Sequence, residues 1–390
     1  MSNSETVSTT SVLIVDDNPK NLQVLGALLQ KEGIDVEFAL DGVNALGWLE
    51  KKNFDLVLLD IMMPVMDGFE VCSRIKENPS ISDIPIIFIT AKTDSDSIVK
   101  GFELGGVDYI TKPFITSELL ARVNSHVQIK KSKDKIELQS RNINDSIKYA
   151  RNIQKAVLNT SLSKLGFYPE NFILYLPKDI VSGDFYWYYK EDDFFILAVM
   201  DCTGHGVPGA FMSILGTTLL NEIVLHNGKA KPDEILECLR SRLIDTLGQN
   251  QDLIHIKDGM EGAVIRYNFN TAELNYSGAF NPLYHIRNDK IIKIDADRVP
   301  VGYFEKVIKF SMKTIHIEKG DIIYLSSDGY IDQFGGIEKR KLMSSGFIPL
   351  LEKIHNYPME KQKSELLDFC DHWKGDLEQT DDILVVGVQF

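Results

Sequence analysis

Apolar residues in the first third of the chain come in short runs separated by stretches of helical periodicity. Residues 12–15, 56–59 and 86–89 are apolar on both faces, the pattern of strands in a parallel sheet covered by helices. Shorter runs at 36–38 and 109–110 predict two more strands. Between them, residues 21–31 carry Leu22, Leu25, Leu28 and Leu29 on one side and read as a helix, as do 41–49, 69–77, 97–103 and 117–127. Strands and helices in strict alternation predict a doubly wound α/β domain with a five-stranded parallel sheet over residues 11–128.

The pattern then changes twice. Residues 129–135 are basic and lack Gly and Pro. Ile136, Ile143, Ile147, Ala150, Gln154 and Val157 follow at spacings of seven, four and three. This predicts a helical connector over 129–160. It is either a short coiled-coil seam pairing two copies of the chain or an amphipathic helix packed on its own domain. From 161 to 390, runs rich in β-branched and aromatic residues recur at 172–176, 185–189, 194–200, 262–269, 274–277, 283–287, 291–294, 308–317, 321–326 and 383–390. Helical stretches fall at 210–226, 233–249, 347–356 and 359–373. The order predicts an α+β domain of two packed β-sheets flanked by helices.

Composition narrows the function classes. A chain of 390 residues is too long for one ordinary core, and its 44% apolar and 25% charged residues are those of a globular protein. The net charge of −14 argues against nucleic acid as a direct ligand, since phosphate backbones are met by basic surfaces. Cys72, Cys202, Cys238 and Cys370 are scattered, without C-x-x-C spacing, and read as reduced thiols. Residues 1–11 lack the basic and apolar segments of a signal peptide, and no apolar run approaches a membrane span. A cytoplasmic protein with no membrane partner is expected.

The candidate chemistry of the first domain lies at predicted strand ends, where doubly wound folds bind ligands. Asp16 and Asp17 follow the first strand, Asp60 the third, Thr90 the fourth, and Lys112 the fifth. Carboxylates meeting at one sheet edge repel unless they share a divalent cation, and a nearby lysine can pair with a phosphoryl group. The bland reading makes each an isolated solvated cap, which is hard to sustain at so many strand ends. The residues Val15-Asp-Asp-Asn18, Leu59-Asp-Ile-Met-Met-Pro-Val-Met-Asp-Gly68, Thr90-Ala91 and Lys112-Pro-Phe114 closely resemble the response-regulator receiver family, in its order and spacing. The resemblance implies that Asp60 accepts a phosphoryl group from a cognate histidine kinase. It also implies that Asp16, Asp17, Asp60 and the Met62 carbonyl hold Mg²⁺, that Lys112 contacts the acyl phosphate, that Thr90 and Tyr109 form a switch pair, and that Lys112–Pro113 is cis.

Acids recur at strand ends in the second domain. Asp184 enters the strand at 185–189, Asp201 ends the next, Asp328 follows another, and Asp381-Asp382 precede the last. Taken alone, Asp201 before the glycine-rich turn at 204–209 could simply cap a helix. Together the clusters look like hard-oxygen ligands for Mg²⁺ or Mn²⁺, with no zinc spacing and no Walker A loop nearby.

Val181-Ser-Gly-Asp-Phe-Tyr186, Met200-Asp-Cys-Thr-Gly-His-Gly-Val-Pro-Gly-Ala210, Asp258-Gly-Met-Glu261, Gly278-Ala-Phe-Asn-Pro282, Pro300-Val-Gly302, Ser327-Asp-Gly-Tyr330 and Asp381-Asp-Ile383 resemble the sporulation stage II E branch of the metal-dependent (PPM) phosphatases. Residues 146–154 resemble the segment common before such domains. The resemblance implies carboxylate ligation of two Mn²⁺ or Mg²⁺ by Asp184, Asp201, Asp328 and Asp381, with Asp201 bridging and the Cys202 carbonyl as a backbone ligand. Water activated there would hydrolyse phosphoserine or phosphothreonine in line. Gly204, His205, Glu261, Asp332 and Asp382 fall in the same motifs as supporting positions. His205 reads as a turn residue rather than a general acid. Leu384 stands where many members have threonine, so a supporting hydroxyl is missing.

The expected protein is a two-component regulator whose output is a phosphatase acting on a phosphorylated protein. The resemblance points to an anti-sigma-factor antagonist as that substrate, and the connector to a homodimer. The rival is a receiver-controlled module that sequesters a partner and is catalytically weak.

Overall fold

The computed structural model describes residues 10–91, 95–158, 170–226, 230–249, 258–306 and 308–390. The chain divides into two compact units, residues 1–143 and 144–390.

The first unit alternates β1 (Ser11–Val15), α1 (Pro19–Lys31), β2 (Asp35–Ala39), α2 (Gly42–Leu49), β3 (Leu56–Asp60), α3 (Gly68–Glu77), β4 (Ile86–Thr90), α4 (Ser95–Glu103), β5 (Asp108–Thr111) and α5 (Thr116–Leu158). The sheet is parallel in the order β2-β1-β3-β4-β5. β1, β3 and β4 are buried along their whole length, because helices cover both faces. Leu13, Val15, Val57 and Leu59 face one core, and Val12, Ile14, Leu56 and Leu58 the other. Helix α1 begins two residues before the expected start. Asn18 caps it by accepting from the Lys20 N–H, and Pro19 fills a first-turn position whose missing N–H costs nothing.

The closing helix of the domain and the connector are one helix, α5. The candidate seam positions divide. Ile136 and Ile143 are 65% and 60% exposed, and Val157 is also exposed. Gln154 is instead buried within the second unit, where its Nε2 donates to the Ser182 carbonyl (2.6 Å) and Ser213 Oγ (2.9 Å). At that position the helix packs on its own domain.

The second unit contains β6 (Glu170–Leu176), β7 (Phe185–Lys190), β8 (Phe194–Cys202), α6 (Gly206–His226), α7 (Pro232–Leu247), β9 (Met260–Asn268), β10 (Glu273–Ala279), β11 (Leu283–Arg287), β12 (Lys290–Ile294), β13 (Lys313–His316), β14 (Ile322–Ser326), α8 (Gly329–Asp332), β15 (Phe334–Gly335), β16 (Arg340–Lys341), α9 (Met343–Ile354), α10 (Met359–Lys374) and β17 (Ile383–Gln389). Two antiparallel five-stranded sheets, β13-β10-β9-β8-β7 and β12-β11-β14-β17-β6, share an inner core. Helices α6 and α7 pack on the first sheet, and α8, α9 and α10 on the second. β8 shows the two-residue period. Phe195, Leu197 and Val199 point between the sheets, while Phe194, Ile196, Ala198 and Met200 point to the helices.

Three local features differ from the pattern of the sequence. The run at 308–317 yields only β13, because Phe310 turns into the helix-side core. The Phe310 N–H donates to the Glu237 carboxylate and the Ser311 N–H to that of Asp297, replacing ladder partners. Helix α8 and the β15–β16 hairpin are too short for periodicity to announce. Finally, α6 is long and apolar enough to span a membrane by length and composition, although 56% of that window is buried. Its Leu219, Leu220, Ile223 and Val224 belong to the core beneath β7 and β8.

Candidate functional site

In the first unit the strand ends bring Asp16, Asp17 and Asp60 together, with carboxylate oxygens within 4.8 Å of one another. Asp16 and Asp60 are buried and Asp17 is exposed. Lys112 follows β5 and places Nζ 2.8 Å from Asp16 Oδ2 and 2.9 Å from Asp60 Oδ2. Asn21 Nδ2 also donates to both Asp16 oxygens. Burial pushes the Asp60 carboxyl up, and the Lys112 ammonium opposes that rise. Lys112–Pro113 is cis. Met62 lies in the loop after β3, half exposed, and Thr90 and Tyr109 line one narrow cleft with Ile61 and Phe88. An all-oxygen donor set with one open, exposed carboxylate fits a hard divalent ion such as Mg²⁺.

The second site stands at one end of the inner core. Glu261 continues the inward row of Ala263 and Ile265, and Asp201 that of Leu197 and Val199. The two face each other across the β8–β9 ladder. Asp184 and Asp382 extend the inward rows of β7 and β17 in the same way. The Asp201 carboxylate lies within hydrogen-bonding reach of those of Asp184 and Asp328. Burial, then the charges of Asp184, Asp328 and Asp381, hold Asp201 well above the usual carboxylate range. Burial raises Asp184 to about 8 and Glu261 to about 7, and Asp328 is raised by burial and by Asp332. These acids form a row centred on Asp201. Among the described residues, no three of them converge within the 4.8 Å that groups the first-unit triad. Carboxylates this close, buried at Asp184 and Asp382 and half-buried at Asp201, Asp328 and Asp381, with oxygen as the only donor, fit hard divalent ions.

The supporting positions divide by what they touch. Asp382 accepts from the Lys178 N–H (2.7 Å) and the Gly183 N–H (2.8 Å), which fixes the loop leading into Asp184. Gly204 has φ +85°, and its carbonyl sits so close to Gly183 and Gly209 that a Cβ on either would overlap it. His205 Nδ1 is 2.6 Å from Asp179 Oδ2, both side chains half exposed. The Cys202 thiol is buried, and burial and the neighbouring acids push it up. Asp332 pairs with Lys341 Nζ at 2.6 Å.

Three residues escaped the sequence reading as functional. Ser327 Oγ donates to Asp184 Oδ2 (2.6 Å) and accepts from the Leu384 N–H (3.0 Å). A hydroxyl therefore does reach Asp184 and the start of β17, from the residue that follows β14 rather than from position 384. Gln333 is fully buried, and its side chain ties the β15 strand to residues 378–380, just before Asp381. Lys341 is the third. Ser327 lay inside a motif and was recoverable from it. Nothing in the spacing points to Gln333 or Lys341.

A parallel sheet carrying an acid triad and lysine, followed by a two-sheet sandwich with a row of acids at one end, defines a receiver joined to a phosphatase of the PP2C type. A family model of the response regulator receiver domain matches residues 12–124, and the model of stage II sporulation protein E (SpoIIE) matches residues 191–390. The second match covers just over half of the chain, which belongs to the SpoIIE family. The SiaA-PP2C domain of Pseudomonas aeruginosa is similar in structure, with a TM-score of 0.60 and 26% identity, over 65% of this chain and 98% of that one. A probable cyclic di-GMP phosphodiesterase of Vibrio cholerae is 44% identical over 130 residues, which is 33% of this chain and 29% of that protein. The transcriptional regulatory protein SpaR of Bacillus subtilis is 44% identical over 117 residues, 30% of this chain and 51% of its own. The chain thus spans about half or less of the length of these curated relatives.

Proposed function

We propose that the chain is a two-component regulator whose output is hydrolysis of phosphoserine or phosphothreonine in a partner protein. The row of raised, mutually repelling carboxylates around Asp201 carries this reading, because such a row is unstable without cations and has no use in a pure binding module. Asp184, Asp201, Asp328 and Asp381, with the Cys202 carbonyl, would hold two Mn²⁺ or Mg²⁺, and Asp201, at the centre of the row, suits a shared ligand. When bound, such ions supply an activated water and offset phosphate charge. Asp382 and Ser327 keep the Asp184 loop and β17 in register with that row.

In the first unit, Asp60 would take a phosphoryl group from a histidine kinase, with Asp16, Asp17 and the Met62 carbonyl around Mg²⁺. Lys112 is already bonded to Asp60 and would follow the new phosphoryl oxygens. Thr90 and Tyr109 would report the change across their shared cleft. The exposed Ile136, Ile143 and Val157 on α5 support a homodimer through this helix. An anti-sigma-factor antagonist is the proposed substrate.

The test is phosphate release from a phosphoserine protein by the full chain with Mn²⁺, with and without acetyl phosphate. Release by Asp201→Ala at the wild-type rate would sink the assignment of the row.

A further inference from the structure

The acid row poses a charge problem when a substrate arrives. The carboxylates of Asp184, Asp201, Asp328 and Asp381 would balance two divalent ions, leaving no net positive charge. A phosphomonoester brings about −1.5 to −2. Glu261, Asp332 and Asp382 add further acid, so something near the row must attract an anion.

Among the described residues, Lys341 is the only basic side chain that forms an ion pair with any of these acids. Its Nζ lies 2.6 Å from Asp332 Oδ2. The Asp332 N–H donates to the Asp328 carbonyl at 2.9 Å, so Lys341 stands one helical turn from a ligand carboxylate. The hairpin that carries Lys341 is firmly held. The Gln333 side chain donates to the Phe334 and Glu378 carbonyls and accepts from the Thr380 N–H, and Gly336 N–H donates to the Trp373 carbonyl. Lys341 is therefore fixed at its backbone relative to both Asp328 and Asp381. Its side chain is 40% exposed. Among the described residues one hydrogen-bond acceptor engages it, although an ammonium has three donors, and its Nζ also lies 5.9 Å from the centre of the Phe334 ring. The first unit shows the same device, with Lys112 resting on carboxylates beside a phosphoryl site.

We propose that Lys341 is the phosphate-binding cation of the phosphatase site, turning from Asp332 to a non-bridging oxygen of the substrate phosphoryl group. This rests on the phosphatase reading of the same site. The test is calorimetric titration of inorganic phosphate into the Mn²⁺-loaded full chain, beside the KM and kcat for p-nitrophenyl phosphate. Lys341→Gln should weaken phosphate binding about tenfold, the worth of one charge-assisted hydrogen bond, and raise KM more than it lowers kcat. Lys341→Arg should restore most of the affinity. Arg340→Gln removes the same charge one residue away, from a side chain paired with Glu338, and should bind phosphate like the wild type. Wild-type phosphate affinity in Lys341→Gln, whether or not its melting temperature falls, would overturn the proposal and leave the Lys341–Asp332 pair as a strut. A wild-type chain that neither binds phosphate nor hydrolyses a phosphoserine peptide would instead bring down the phosphatase reading itself.

Discussion

The two acidic sites solve the same electrostatic problem in opposite ways. In the first unit the buried Asp16 and Asp60 share Lys112, so part of their repulsion is met by the protein itself. In the second unit Asp201 has the charges of Asp184, Asp328 and Asp381 around it, and among the described residues the only base ion-paired to this group of acids, Lys341, is engaged by Asp332. One site is largely assembled before any ion arrives, and the other is held under repulsion that ions would relieve. The internal cation sets this difference: Asp16 and Asp60 are as buried as Asp184, yet they have Lys112, whereas the second-unit acids meet mainly one another.

The largest effect expected from this contrast is on turnover. Asp201→Asn should lower kcat for a phosphoserine peptide by about a thousandfold, the scale of losing a principal electrostatic group, as read by phosphate release. A loss of less than about tenfold would mean that the centre of the row lies elsewhere.

Next comes the response to pH without metal. Asp184 and Glu261 bind protons in the folded state up to about 8 and about 7, whereas their ordinary values are 3.8 and 4.5. Between those limits the native state holds more protons than the unfolded chain, so stability falls as pH rises. In chelator, the melting temperature of the second unit should drop by about 5 °C or more between pH 5 and pH 8, and Mn²⁺ should remove most of that slope. A flat profile in chelator would break the contrast between the sites.

Removing the internal cation should make the first site behave more like the second. Lys112→Ala leaves two buried carboxylates facing each other. It should cost about 2 kcal/mol in denaturant unfolding of the first unit, discounted because Lys112 is partly exposed. Mg²⁺ should recover much of that loss. The smallest effect is at Ser327. Ser327→Ala removes the hydrogen bond that restrains Asp184 and strands the Leu384 N–H, costing about 1–2 kcal/mol in denaturant unfolding with a modestly weaker Mn²⁺ affinity.

Much of this molecule was legible in the chain because its main signals are local. The runs at 12–15, 56–59 and 86–89 are β1, β3 and β4, buried along their whole length as their two-sided apolarity required. Acids directly following or preceding such runs had to fall at strand ends, and two-residue alternation then aims Asp201 and Glu261 along the inward rows of β8 and β9. The 308–317 run failed as one strand because side-chain carboxylates from distant segments took its N–H groups.

By itself the sequence determined the two domain types, the order of their elements and which carboxylates stand at strand ends, because strand and helix periods and turn chemistry act over a few residues. Only the tertiary structure decided which groups those acids meet. Ser327 reaches Asp184 across 143 positions, Gln333 reaches Thr380 across 47, and Gln154 binds Ser182, 28 residues away, which decides between the two readings of the connector at that position. These partners are chosen by how two sheets and their helices close on one another, and a hydrogen bond between groups that far apart leaves no periodic trace in the chain.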